Sequence, residues 1–123
     1  MPEALDVALA YYRDWTSGRI DAALDRVADD IVCDAPAGRI EGKADYRAFL
    51  EPFARMLTGS ELIAAYGDEK QALIMYDTAS TLVASAPGAE CLTVAGGRIV
   101  ASRFLFDRAP FIAARAARTA PGS

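Results

Sequence analysis

The apolar residues change period partway along the chain, and that change limits the fold more than any other feature. Up to residue 57 they recur at intervals of three and four. From Leu62 onward they come in short strand-like runs cut by turns. Ala4, Val7, Ala8, Tyr11 and Trp15 predict a helix over 3–17 that stops at Ser17-Gly18. Ile20, Ala23, Leu24, Val27 and Ala28 predict a second, shorter helix. After the solvated pair Asp29-Asp30, residues 31–36 read as a short strand, and 39–41 as its return. Gly42 opens a third helix with the stripe Tyr46, Phe49, Leu50, Phe53 and Leu57. Pro52 lies inside that stripe and predicts a kink or break.

Residues 62–66, 71–78, 90–95 and 99–107 read as strands. The turns between them fall at 67–70, around 86–88 and at Gly96-Gly97. Connections this short favour antiparallel neighbours. A last helical turn or two is expected over 110–118, and a disordered tail over 119–123. With helices grouped first and strands later, the expected fold is α+β. The N-terminal helices would pack in the concave face of a strongly curved, mainly antiparallel sheet, a cone-shaped α+β barrel formed by one domain over 1–118. A sheet bent around helices leaves a concave interior suited to a small molecule.

Composition removes whole classes of chemistry. Thirteen basic and seventeen acidic side chains give a net charge of −4, with no basic cluster interleaved with aromatics, so no nucleic-acid partner is expected. No apolar run approaches the roughly 20 residues of a membrane helix, and Met1-Pro2-Glu3 lacks the basic start of a signal peptide. A cytoplasmic protein with no membrane partner is the expectation. Cys33 and Cys91 lack a CxxC spacing and read as two free thiols. The sequence contains no histidine, which leaves no Ser-His-Asp or Cys-His triad and none of the usual zinc sites. Acid–base chemistry would fall to Asp, Glu, Tyr, Lys or Cys. No metal or organic cofactor is expected.

Four segments carry a family likeness. They are Gly18-Arg19-Ile20-Asp21-Ala22, the passage Ala28-Asp29-Asp30-Ile31-Val32-Cys33-Asp34-Ala35-Pro36, the opening Gly42-Lys43-Ala44-Asp45-Tyr46-Arg47-Ala48-Phe49, and the hairpin Gly97-Arg98-Ile99-Val100. In this order and at this length the chain resembles the nuclear-transport-factor-2-like superfamily, which includes ketosteroid isomerase and the SnoaL-like polyketide cyclases. The resemblance implies a pocket in which a helix-1 tyrosine and a buried acid hold an oxyanion while a strand aspartate moves a proton. Tyr11 stands seven residues before Gly18, as the family tyrosine does. The position of the family's catalytic aspartate falls on Ala35, with Asp34 one residue early and so on the opposite face. Counting back from Gly97, with one residue missing from the turn, Glu90 falls on the family's buried acid. Ser102, Phe104 and Phe106 fall on its pocket-lining positions, which turns Arg103 and Leu105 outward.

The candidates for chemistry are therefore Glu90, Tyr11, Asp34 and Asp77, with Glu90 first. Trp15, Cys33, Ala35, Phe53, Ser102, Phe104 and Phe106 are expected to line the pocket. Each has a plainer reading. Tyr11 fits core packing, Glu90 fits a solvated strand edge, and Asp34 fits a turn cap. Asp77 faces inward only if Met75 does, and outward if Tyr76 is the inward residue. Both faces of that strand are apolar, so period alone leaves this open. Two apolar faces also point to a second subunit on the outer face, a homodimer. Two functions stand side by side. One is an acid–base enzyme of isomerase, cyclase or dehydratase type acting on a small apolar carbonyl compound. The other is a non-catalytic module that binds an apolar molecule or another protein.

Overall fold

The computed structural model describes residues 3–119. Of the expected tail, Thr119 ends the last helix and residues 120–123 lie outside the described residues. Four helices and six strands follow in the order α1 (Glu3–Thr16), α2 (Ile20–Asp25), β1 (Val27–Ala35), β2 (Gly38–Glu41), α3 (Lys43–Met56), β3 (Leu57–Gly67), β4 (Gln71–Ser80), β5 (Gly88–Ala95), β6 (Arg98–Phe106) and α4 (Ala109–Thr119). The strands form one sheet in the order β2-β1-β6-β5-β4-β3, so the sheet is curved but not closed, with β2 and β3 at its edges. Every pairing is antiparallel except β1 with β6.

Helix α1 buries Ala4, Ala8, Tyr11, Tyr12 and Trp15, one stripe at helical spacing, against the sheet. Glu3 and Asp6 in its first turn and Arg13 in its last suit the helix dipole. It stops where the Thr16 and Ser17 hydroxyls donate back to the carbonyls of Tyr12 and Arg13 and Gly18 takes φ +85°. Asp14 then ties the corner together by accepting from Arg19 and Arg26, which flank α2.

The second helix is shorter than expected, and the break expected at Pro52 as one of two outcomes does not occur. The second helix ends at Asp25, because Val27 and Ala28 already belong to β1. Val27 pairs with Ile99 and Val32 with Ala101, so the residues between them form a bulge that leaves Asp29 and Asp30 exposed. The third helix runs through Pro52 without a break. Tyr46 and Leu50 are buried before it, and Phe49 and Phe53 pack against the core on either side. That packing outweighs the roughly 3 kcal/mol helix penalty of an internal proline.

Curvature comes from register shifts. β3 slips against β4 between Leu57 and Gly59 and again between Leu62 and Ala64, and β5 slips against β6 between Thr93 and Val94. The turns follow local chemistry. Asp68 Oδ1 accepts from the amides of Lys70 and Gln71 to close β3–β4. Gly96 and Gly97, both at positive φ, close β5–β6 as a two-residue hairpin. No helix among the described residues is long and apolar enough to cross a membrane.

Candidate functional site

Inward residues alternate strictly on the central strands. β4 turns Ala72, Ile74, Tyr76 and Thr78 inward, and β5 turns Gly88, Glu90, Leu92 and Val94 inward. Helix α1 covers part of this concave face. Between the rest of it and α3 lies a cavity of about 390 Å³. Trp15, Phe49, Phe53, Phe104, Phe106 and Phe111 form its aromatic wall, with neighbouring rings 5.2–6.1 Å apart in edge or tilted contact. Gly88 also lines it, where a Cβ would only touch the Phe104 ring, at 3.4 Å. Helix α4 closes one side through Phe111, which packs on Phe53 and Phe106.

Glu90 lies on the buried inner surface of this cavity. Its strand neighbours are Ile74 and Phe104, it is only 3% exposed, and it forms no ion pair among the described residues. Its Oε2 has no hydrogen-bond partner. Burial pushes its pKa up to about 8, against the opposing pull of the nearby Tyr76 hydroxyl. That hydroxyl is itself buried and outside hydrogen-bond geometry with any group among the described residues. At neutral pH Glu90 is therefore mainly a neutral acid, and it shares the cavity with an unspent phenol.

Tyr11 is not among the residues that line the cavity. It is fully buried behind the cavity lining, and its hydroxyl is hydrogen-bonded to that of Tyr46 on α3. Burial raises both phenols well above the usual value, and the nearby Glu90 carboxylate would raise them further. The phenol that reaches the cavity beside Glu90 is Tyr76, which the pattern of β4 did not single out.

Asp34 and Asp77 are not brought to the cavity. Asp34 is half-exposed on the face opposite Cys33, with Arg103 at 3.8 Å. Asp77 alternates away from Tyr76 and Thr78, and its carboxylate accepts from the Ser85 hydroxyl. The period of two decides both cases, because Cys33 and Tyr76 are the buried partners. Of the seven expected lining residues, Trp15, Phe53, Phe104 and Phe106 line the cavity. Cys33, Ala35 and Ser102 do not. Cys33 and Ser102 are paired across β1 and β6 in the core beside it, where burial pushes the Cys33 thiol up to about 11. Cys33 and Cys91 are unlinked. No cluster of three or more carboxylate or thiol groups among the described residues is arranged to hold a metal ion.

The fold recurs in solved structures. A protein from Kribbella flavida DSM 17836 is 56% identical and superimposes with a TM-score of 0.91, covering 94% of this chain and 95% of its own. A candidate ketosteroid isomerase from the same organism gives 0.74 at 18% identity, over 87% of this chain and 79% of its own. A candidate polyketide cyclase from Sinorhizobium meliloti gives 0.71 at 17% identity, over 81% and 94%. At that identity the last two show the fold alone. No relative is found among curated proteins. The model of the SnoaL-like domain matches residues 8–102, from the middle of α1 to the inward Ser102 of β6, and the chain therefore belongs to the SnoaL-like domain family.

Proposed function

We propose that the domain is an acid–base enzyme that moves a proton next to the carbonyl of a small, largely apolar compound. One observation carries this reading: the carboxyl of Glu90 is buried on an apolar cavity with no cation or hydrogen bond to account for it. A carboxyl held near pH 8 is a far stronger base, once ionised, than one in water. It takes a proton from the carbon beside the carbonyl. The C–H electron pair forms a C=C bond, and the carbonyl π pair moves to oxygen. The Tyr76 hydroxyl donates to that oxygen as charge develops. Glu90, now neutral, returns the proton at the same carbon or a neighbouring one. Isomerisation, cyclisation and dehydration all share this step. The candidate isomerase and the candidate cyclase among the solved neighbours are consistent with it.

A second reading rests on a specific observation. Glu90 is the one carboxylate among the residues lining the cavity, and the position of the family's strand base is Ala35. A pocket with a single acid suits a module that binds and does not turn over. Deuterium exchange separates the two. Small apolar ketones incubated in D2O and followed by NMR should exchange faster with the protein than in buffer, with a rate that rises to a plateau above pH 8. Glu90→Gln should lower that acceleration by about 10²–10⁴-fold while the ketone still raises the melting temperature. Tyr76→Phe should cost about 10²-fold. Thermal shifts without any acceleration in the unaltered protein would leave the binding module as the answer.

The expected homodimer finds its support on the convex face. Tyr66 and Leu73 pair in one row there and Met75 and Leu105 flank Ala89 in the next, all four exposed. Sedimentation as a monomer at micromolar concentration would contradict it.

A further inference from the structure

We propose that Trp15 is a specificity-determining residue whose indole N–H donates to a second oxygen of the substrate, so that the compound taken into the cavity is an apolar dicarbonyl. The inference rests on the reading of Glu90 and Tyr76 as the place of the reacting carbonyl. Among the described residues, five buried side-chain atoms have no hydrogen-bond partner: Tyr12 Oη, Trp15 Nε1, Tyr76 Oη, Glu90 Oε2 and Ser102 Oγ. Trp15, Tyr76 and Glu90 line the cavity, and Tyr12 and Ser102 do not. The proton transfer employs Tyr76 and Glu90 and leaves Trp15 without a task.

Trp15 stands on the buried stripe of α1 and is 1% exposed. Its ring meets Tyr76 edge-on at 5.6 Å and Phe53 at a tilt at 6.1 Å, and both of those residues line the cavity. A phenylalanine would serve such packing. The indole adds an N–H, and a donor withdrawn from water with no acceptor costs about as much as a lost hydrogen bond. The one other uncharged hydroxyl on the wall, that of Thr78, already donates to the Ala86 carbonyl. The acceptor missing at Trp15 therefore comes with what fills the cavity. An indole N–H donates and never accepts, so the group it meets is an acceptor oxygen. A second carbonyl meets that need on an otherwise apolar wall. Because the Trp15 and Tyr76 rings are in contact, the two oxygens belong to one compact part of the ligand.

The probes are two diketones, benzoylacetone and phenacylacetone, whose carbonyls differ in spacing by one carbon. Each is compared by calorimetry with the monoketone in which the second carbonyl is a methylene, butyrophenone and valerophenone respectively. At least one diketone should bind about 10-fold more tightly than its monoketone. Trp15→Phe keeps a ring and removes the donor, so it should abolish that preference and leave the monoketone within about twofold. The unaltered protein gives an independent reading. Trp15 is the sole tryptophan, so its indole N–H gives a single cross-peak in a nitrogen-15 correlation spectrum. The preferred diketone should move that proton further downfield than its monoketone does. Equal binding within both pairs, a preference that survives in Trp15→Phe, or an indole proton that responds alike to diketone and monoketone would overturn the inference. Deuterium exchange of the monoketones reads the proton transfer separately. Acceleration without a diketone preference leaves that function standing and removes the second oxygen, and a Trp15-dependent preference without acceleration does the reverse.

Discussion

Two carboxylates are withdrawn from water among the described residues, and the fold treats them in opposite ways. Asp14, 7% exposed, sits at the α1–α2 corner. Burial pushes its pKa up, but hydrogen bonds from Arg26 at 2.9 Å and Arg19 at 3.1 Å outweigh that and hold it below the ordinary range. Glu90, 3% exposed, has no such partner and rises to about 8. Asp14 is compensated because its task is to hold three elements together. Glu90 is uncompensated beside a cavity, the arrangement expected where a group must change its protonation state in use.

The comparison breaks first at stability against pH. A carboxyl whose pKa is higher folded than unfolded favours the folded state fully below the unfolded value, and that contribution is lost as pH rises to the folded one. For Glu90 the window runs from about 4.5 to about 8. At about 1.4 kcal/mol per pH unit the loss is on the order of 5 kcal/mol. Denaturant melts of the unaltered protein should weaken across that window, and Glu90→Gln should flatten the decline. A variant as pH-sensitive as its parent would mean that Glu90 is not the group responsible.

Asp14 should behave in the reverse sense and more mildly. Its contribution is present above the usual value of 3.8 and is lost as pH falls through its lowered pKa. Asp14→Ala should cost about 1–3 kcal/mol at pH 7 and soften the acid limb of the same melts. The loss stays modest because both arginines keep solvent access once their partner is gone. A loss confined to alkaline pH would contradict this account.

Much of this was legible in the chain. The break in apolar period gave the helix-then-strand order, and the turn residues at 67–70 and Gly96-Gly97 gave the hairpins. Glu90 is reached through the resemblance, by counting back from Gly97 to the family's buried acid, and it does lie on the cavity. Tyr76 could not be reached, since Leu73 and Met75 make the outer face of β4 as apolar as the inner. The same ambiguity hid the outward turn of Asp77. The Tyr11–Tyr46 bond joins residues 35 positions apart, and no local pattern encodes it.

The central claim is that Glu90 is a neutral acid at pH 7 because nothing around it pairs with its charge. Carbon-13 labelling of the glutamate side chains, with Glu90 assigned by its loss in Glu90→Gln, allows its carboxyl to be titrated directly by NMR. The account expects a midpoint near 8 for Glu90. A midpoint near 4.5 would show that the carboxylate is solvated or paired in solution, and the proton-transfer reading would fall with it.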